Sequence, residues 1–177
     1  ETIVRGNASA GGSAFWLYGD ASQLRIYASL VVGNGCVEGA PGCPAIYTSG
    51  GSLRFEHTTF ADNGGANSLI WGDGVQGAIL TDIKGYSSLV SSKAKIFDFL
   101  GAVPTVSYDC VLKDTGNDEI AATRSAVMAF TFQDAAHGDY HLPADSVAID
   151  WCDGTPVSSQ SPDMDDTPRG LDADQGD

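Results

Sequence analysis

Charged residues at matched positions of two similar segments are the candidates for chemistry in this sequence. Arg25 and Arg54 align across an offset of about 29 residues, and Glu56 and Asp82 lie near the same register. An enzyme that cleaves a polysaccharide needs paired carboxylates, or carboxylate-bound Ca²⁺ with an arginine or lysine as base. Arg25, Arg54 and Glu56 are therefore the catalytic candidates. The alternative, which we favour, is a solvated face on which a neighbouring acid holds each arginine.

Aspartates crowd the last quarter of the chain and are the candidates for metal binding. Ca²⁺ prefers carboxylate and carbonyl oxygens on loops, whereas the full Asp-x-Asp-x-Asp-Gly loop with a distal glutamate is absent. We favour an Asp-rich cap whose carboxylates bond turn amides and Arg169, so that no cofactor is expected and calcium is the alternative. Calcium is the one cofactor for which the sequence offers ligands. They are Asp163, Asp165, Asp166, Asp172 and Asp174.

Four cysteines, an even number without the paired CxxC spacing of a zinc site, favour disulfides. Cys36 and Cys43 bracket a Gly/Pro loop that a local bridge would pin. Cys110 and Cys152 are then left to tie the terminal segment to the rest of the chain. Four reduced thiols in a cytosolic protein remain the alternative.

Aromatic residues offer a further surface for ligands. If they point outward, they form a stripe on which sugar rings would stack, although several are equally suited to the core. The histidines His57, His137 and His141 are scattered and match no catalytic motif. The aromatic candidates are Trp16, Tyr18, Tyr27, Tyr47 and Trp71.

A repeated stretch must position all of these side chains. Leu24-Arg-Ile-Tyr-Ala-Ser-Leu-Val-Val-Gly-Asn-Gly35 is echoed by Leu53-Arg-Phe-Glu-His-Thr-Thr-Phe-Ala-Asp-Asn-Gly64. Each copy alternates apolar and polar residues and ends on Asn-Gly, which predicts a short strand closed by a turn. Because two strands and their turns recur as one unit, we expect stacked repeats of a coil rather than a meander.

Asparagines close successive repeats at Asn7, Asn34 and Asn63. We predict that each is a structural turn residue in the left-handed region, which asparagine tolerates better than any residue except glycine. If the three stack, their amides would also hydrogen-bond from one repeat to the next. A simple exposed turn residue is the alternative.

Composition supports one all-β domain. The chain has 177 residues, of which 42% are hydrophobic, and 22 are glycines that indicate many tight turns. Its net charge of −14 argues against nucleic acid and anionic membranes as partners. No apolar run is long enough to span a membrane.

The sequence pattern changes near residue 129, where the repeats end. Residues 1–128 are predicted to form the repeats, and residues 129–177 to form an irregular C-terminal capping segment of the same domain. Glu1 to Asn7 looks like the end of a repeat, so we expect this chain to be a fragment of a longer protein.

The terminal segment carries a family resemblance. Gly138-Asp-Tyr-His-Leu142, Ser146-Val-Ala-Ile-Asp150, Asp163-Met-Asp-Asp166, Arg169 and Asp172-Ala-Asp-Gln-Gly176 resemble the C-terminal signature of bacterial extracellular right-handed parallel β-helix proteins. Pro44-Ala-Ile-Tyr47 and Phe60-Ala-Asp-Asn63 are similar to the GGAI and FxxN repeats of such proteins. Cys152 stands where the family has glycine, and the expected final strand after Gly176 is missing.

The resemblance implies a right-handed parallel β-helix in an exported protein and leaves its chemistry open, because this scaffold carries lyases, hydrolases, adhesins and passive stalks. We expect a structural or adhesive module of a secreted or cell-surface protein. The alternative is a carbohydrate-active β-helix, lyase or hydrolase-like, that acts on or binds an extracellular polysaccharide. The expected partner is a polysaccharide or a host or cell-surface ligand.

Overall fold

The fold was analysed in a computed structural model. The structure describes residues 2–9, 14–36, 43–63, 68–73, 80–91, 95–100, 105–114, 125–127 and 129–149. Within them lie fourteen strands and one short 3₁₀ turn at Ala135–His137, which confirms the predicted all-β class. The strands are β1 Thr2–Arg5, β2 Ala8–Ser9, β3 Phe15–Tyr18, β4 Gln23–Tyr27, β5 Ser29–Val32, β6 Gly35–Cys36, β7 Ile46–Ser49, β8 Gly51–Glu56, β9 Thr59–Ala61, β10 Ser68–Asp73, β11 Leu80–Ser91, β12 Lys95–Leu100, β13 Thr105–Lys113 and β14 Ser125–Val127.

Every pairing between these strands is parallel. The largest sheet runs β1-β5-β9-β11-β13-β14 and also includes β4 and β8, which pair with each other and, through β8, with β11. A second sheet runs β12-β10-β7-β3, and β2 pairs with β6. Leu24 lies opposite Leu53 and Val31 opposite Phe60, so the two similar stretches are register partners, as predicted.

Inward-facing side chains of both main sheets form one apolar core. Phe55 and Phe60 are almost completely buried and meet edge to face, with their ring centroids 5.3 Å apart. Ile46, Ile70 and Ile83 pack in the same cluster. The alternation along β8, where Leu53 and Phe55 are buried while Arg54 is exposed, fixes which face of the strand reaches solvent.

Left-handed residues form the corners between strands, and the prediction that the asparagines themselves take this conformation was wrong. Positive φ angles occur at Gly6 (66°), Gly33 (60°) and Asp62 (51°), each directly before an asparagine, and not at Asn7, Asn34 or Asn63. The preceding residue makes the bend. The asparagine side chain is thereby free to turn toward the neighbouring repeat.

The three asparagines form a hydrogen-bonded ladder. Asn7 Nδ2 donates to Asn34 Oδ1, and Asn34 Nδ2 donates to Asn63 Oδ1, each at 2.9 Å. The same oxygens accept from the backbone N–H of Asn7 (3.1 Å) and Asn34 (3.0 Å). Asn34 Nδ2 also donates to the carbonyl of Val4, and Asn63 Nδ2 to that of Val31. Since Asn34 is 1% exposed, water cannot replace these bonds.

One predicted disulfide is present within the described residues. Cys36 and Cys43 are bonded, with their Cα atoms 5.1 Å apart. Cys110 is also disulfide-bonded. Its predicted partner, Cys152, lies outside the described residues.

A segment that we call the strap, residues 129–149, crosses the outer face of the large sheet. Phe130 packs on Leu112 of β13, and Tyr140 packs on the cluster that contains Val32 of β5. The Tyr140 hydroxyl donates to Asp62 Oδ2 at 3.0 Å. The strap thus covers apolar side chains of several neighbouring strands. Capping of an end of the stack by residues 129–177 stays a prediction, since residues 150–177 lie outside the described residues.

The Tyr140–Asp62 bond makes part of the stability depend on alkaline pH. Burial, and then the hydrogen bond to Asp62, raise the pKa of Tyr140 above its ordinary value of 10.0. A raised pKa stabilises the fold below the unfolded value, and that contribution is lost as pH rises through the folded value. We expect Tyr140→Phe to flatten the fall of unfolding free energy between about pH 9 and 12. Tyr18→Phe, at an exposed phenol, is the control, and an unchanged slope in Tyr140→Phe contradicts the assignment.

Candidate functional site

Two outward ladders of side chains are the candidate sites, and the first is basic. On strands β4, β8 and β11, Arg25 lies in register with Arg54, and Arg54 with Lys84. The inward neighbours Leu24, Leu53 and Ile83 hold these strands against the core. Pleating therefore directs the three cations to the same outer face.

A groove of about 180 Å³ opens along this ladder. We call it the basic groove. It is lined by Gln23, Leu24, Arg25, Ser52, Leu53, Arg54, Asp82 and Lys84.

Each carboxylate near the groove is bonded to a cation of its own strand. Glu56 Oε1 accepts from Arg54 Nε at 2.7 Å and also from Arg54 Nη2. Asp82 Oδ2 lies 2.8 Å from Lys84 Nζ. Arg25 has a longer contact, 3.4 Å from its Nη2 to Gln23 Oε1. The face is thus partly neutralised, and among the described residues no carboxylate forms an ion pair with Arg25.

These ion pairs hold the groove in its charged form. The hydrogen bond that Arg54 donates to Glu56 raises the pKa of Arg54, and the one that Lys84 donates to Asp82 raises the pKa of Lys84. The Arg54 guanidinium also lies over the Tyr86 ring, with Cζ 4.9 Å from its centroid. A general base must lose its proton near the working pH. Arg54 and Lys84 are therefore poorly suited to that role and well suited to binding anions.

The structure brings the catalytic candidates Arg25, Arg54 and Glu56 together on one face. It also adds Lys84 and Tyr86, which the sequence did not single out. Strand β11 has twelve residues and continues past Lys84 and Tyr86 to Ser91. Its register against β8 shifts between Leu80 and Asp82. Because of this shift, the third copy of the repeat does not follow the spacing of the first two. Lys84, two residues after Asp82, was nevertheless a sequence signal for a third outward cation.

Metal ligands were predicted only in the terminal segment. Asp163, Asp165, Asp166, Asp172 and Asp174 all lie outside the described residues. In the part of the chain that the structure describes, no three His, Cys, Asp or Glu side chains converge on a point where a cation would sit.

The histidines make separate local contacts. His137 Nδ1 lies 2.7 Å from Asp134 Oδ2, and His141 Nδ1 bonds Asp139 Oδ1. The backbone N–H of His141, and then its ring, lower the pKa of Asp139. His57 packs edge to face on Tyr27, with centroids 5.8 Å apart. These contacts do not assemble a common site.

The second ladder is aromatic and lies on the β3-β7-β10 face of the other main sheet. Trp16 is in register with Tyr47, and Tyr47 with Trp71. Successive ring centroids are 5.0 Å apart in both pairs. Trp16 is 68% exposed, and Tyr18 beside it on β3 is 67% exposed. We call Trp16, Tyr47 and Trp71 the aromatic ladder.

Of the five predicted aromatics, four therefore lie on one sheet. Tyr27 is on the other sheet, half-buried in the corner near His57. The structure separates the two ladders by short turns. In the first repeat the turn is residues 19–22, and in the second Gly50 alone joins β7 to β8.

Comparison of this chain with protein-family models, with curated proteins and with solved structures finds no match. What the structure defines is an all-β protein of parallel sheets with a local disulfide. Among the described residues, no helix has the length and apolar character needed to cross a bilayer.

Proposed function

We propose that the chain is a right-handed parallel β-helix module of a secreted or cell-surface protein and that its role is adhesive or structural. Three observations support this proposal. Strands pair in parallel with equivalent strands of the next repeat, an asparagine ladder links the repeats, and disulfides are typical of exported proteins. The resemblance to bacterial extracellular β-helix proteins agrees with all three.

The aromatic ladder is the observation that carries the adhesive role. Two large exposed rings, Trp16 and Tyr18, on a rigid sheet are costly in water unless a partner covers them. Aromatic rings offer a flat apolar face and, in tryptophan and tyrosine, a polar edge. Sugars present the matching combination of C–H faces and hydroxyls. A polysaccharide that runs across the strands would meet one ring per repeat.

A carbohydrate-active enzyme on the same scaffold is the alternative. Its catalytic groups would lie in the basic groove, which spans three repeats and includes one acid, Asp82. The ion pairs of Arg54 and Lys84 disfavour it, because both cations are held protonated. The adhesive role therefore has the better support.

The test measures binding to a panel of neutral polysaccharides by affinity electrophoresis. Replacing Trp16 by alanine, alone and with Trp71→Ala, is expected to weaken binding by about tenfold or more, since an exposed aromatic anchor that a ligand covers contributes over 1 kcal/mol. Trp16 is exposed, so the single variant should fold normally.

Ile3→Ala, at another exposed apolar residue, is the matched control and should bind as the unmodified chain does. Equal binding by the Trp16 and Ile3 variants contradicts the aromatic site. Release of new sugar ends during incubation favours the enzyme instead.

A further inference from the structure

We propose that the basic groove is a second binding site, which takes the carboxylate or sulfate groups of an acidic polysaccharide. This inference rests on the proposed function in one respect, namely that the ligand is an extracellular polysaccharide. It concerns a different sheet from the aromatic ladder, and different chemistry.

The placement of charge is the first argument. The chain has nine Lys and Arg residues against 23 Asp and Glu. Three of the nine, Arg25, Arg54 and Lys84, occupy directly opposed positions on neighbouring strands. Like charges in register repel and lower stability. A merely solvated face would not require three cations in register, because the chain has enough acidic residues for opposite charges to face each other across these strands.

The donors that remain free are the second argument. Arg54 binds Glu56 through Nε and Nη2, which leaves the N–H groups of Nη1 without an acceptor among the described residues. Stacking on Tyr86 restrains the guanidinium plane. The planar fork of arginine matches a carboxylate or sulfate better than a lysine ammonium does. Arg25, the exposed neighbour, doubles this donor set.

The shape of the groove selects a linear chain with separated charges. Adjacent strands lie about 4.8 Å apart, so the three cations span roughly 10 Å across the strands. Gln23 and Ser52 line the same groove and offer hydrogen bonds to hydroxyl groups. A sugar polymer presents both groups in alternation along its length.

The local acids argue against a more densely charged ligand. Glu56 and Asp82 lie beside the cations, and the whole chain carries −14. Nucleic acid binds mainly through many uncompensated phosphate contacts, which this face lacks. We therefore commit to an acidic polysaccharide and make nucleic acid an outcome of the test.

The experiment measures binding of polygalacturonate, dextran sulfate, neutral dextran and single-stranded oligothymidine at several salt concentrations. The Arg25→Ala/Arg54→Ala variant is expected to lose at least tenfold in affinity for polygalacturonate or dextran sulfate. It should also show a weaker salt dependence. Arg5→Ala removes an exposed arginine outside the groove and should stay within twofold of the unmodified chain.

Arg25→Ala alone guards against misfolding, because Arg25 is exposed and has one long contact; it should still lose several-fold. Acidic polymers that fail to bind, or that bind the Arg25 variants equally, overturn the inference. Equal or tighter binding of oligothymidine also overturns it. Failure of the proposed function shows separately, as an absence of any Trp16 effect on neutral polysaccharides.

Discussion

Replacing Asn34 by alanine is expected to lower the free energy of unfolding by about 2–4 kcal/mol. The Asn34 amide makes bonds to both neighbouring repeats: its oxygen accepts from Asn7, and its nitrogen donates to Val4 and Asn63. Alanine removes all of these while Asn34 is 1% exposed. The Val4 carbonyl and the Asn63 oxygen then lose a buried partner, and that desolvation dominates the cost.

Chemical denaturation of Asn34→Ala and Asn7→Ala, followed by circular dichroism, checks this expectation. Asn7 stands at the exposed end of the same ladder, where water can replace the lost amide. Its alanine variant should lose about 1 kcal/mol or less. If Asn34→Ala loses no more stability than Asn7→Ala, burial of the Asn34 amide adds nothing to its contribution, and its expected structural role is contradicted.

The sequence predicted the ladder but not the conformation that makes it. Asparagines at equal spacing indicate stacking, because identical amides on adjacent strands pair well. Which residue bends the chain is decided by a second requirement that spacing does not express. The positive φ falls on Gly33 and Asp62, and the asparagine that follows each of them bonds the neighbouring repeat through its amide.

The residues of the basic groove were likewise only partly predictable from the sequence. Arg25, Arg54 and Glu56 were predictable, because the first two copies of the repeat differ by no insertion and their residues fall into register. Lys84 joins them only through the irregularity in β11. From that point the offset between paired residues changes, as with Ile83 opposite Val106. A fixed period cannot locate these partners.

Burial of polar side chains was the least predictable feature. Lys113 is 5% exposed although lysine is among the residues least often buried. It lies in register with the buried Val90 on the inward face of β13. The alternation of β13 fixes its direction once the register is known, whereas its sequence neighbours alone suggest a strand end in solvent.

Gly51→Ala, at the first residue of β8 and directly after the Gly50 turn, is expected to cost about 3–5 kcal/mol. Gly51 has a φ of 85°, which an alanine adopts only with strain. Its new Cβ would also press on the carbonyl oxygen of Ser22 and come within 3.2 Å of the Gly19 oxygen. Both obstacles are backbone atoms, so no side-chain rotation relieves the collision.

Gly33→Ala separates the two causes. Gly33 has a φ of 60°, and a Cβ there meets no atom within 4 Å, so its variant carries the strain alone, about 1–2 kcal/mol. The difference in unfolding free energy between the two variants measures the collision. The Ser22 carbonyl accepts from Ser52 N–H at 2.9 Å, a bond between successive repeats. If Gly51→Ala and Gly33→Ala lose the same stability, the added Cβ at position 51 meets no collision, and the close approach of the Ser22 carbonyl to Gly51 is contradicted. If they differ as expected, Gly51→Ala should also weaken the binding proposed for both ladders, because Gly50 and Gly51 join the strand of Tyr47 to the strand of Arg54.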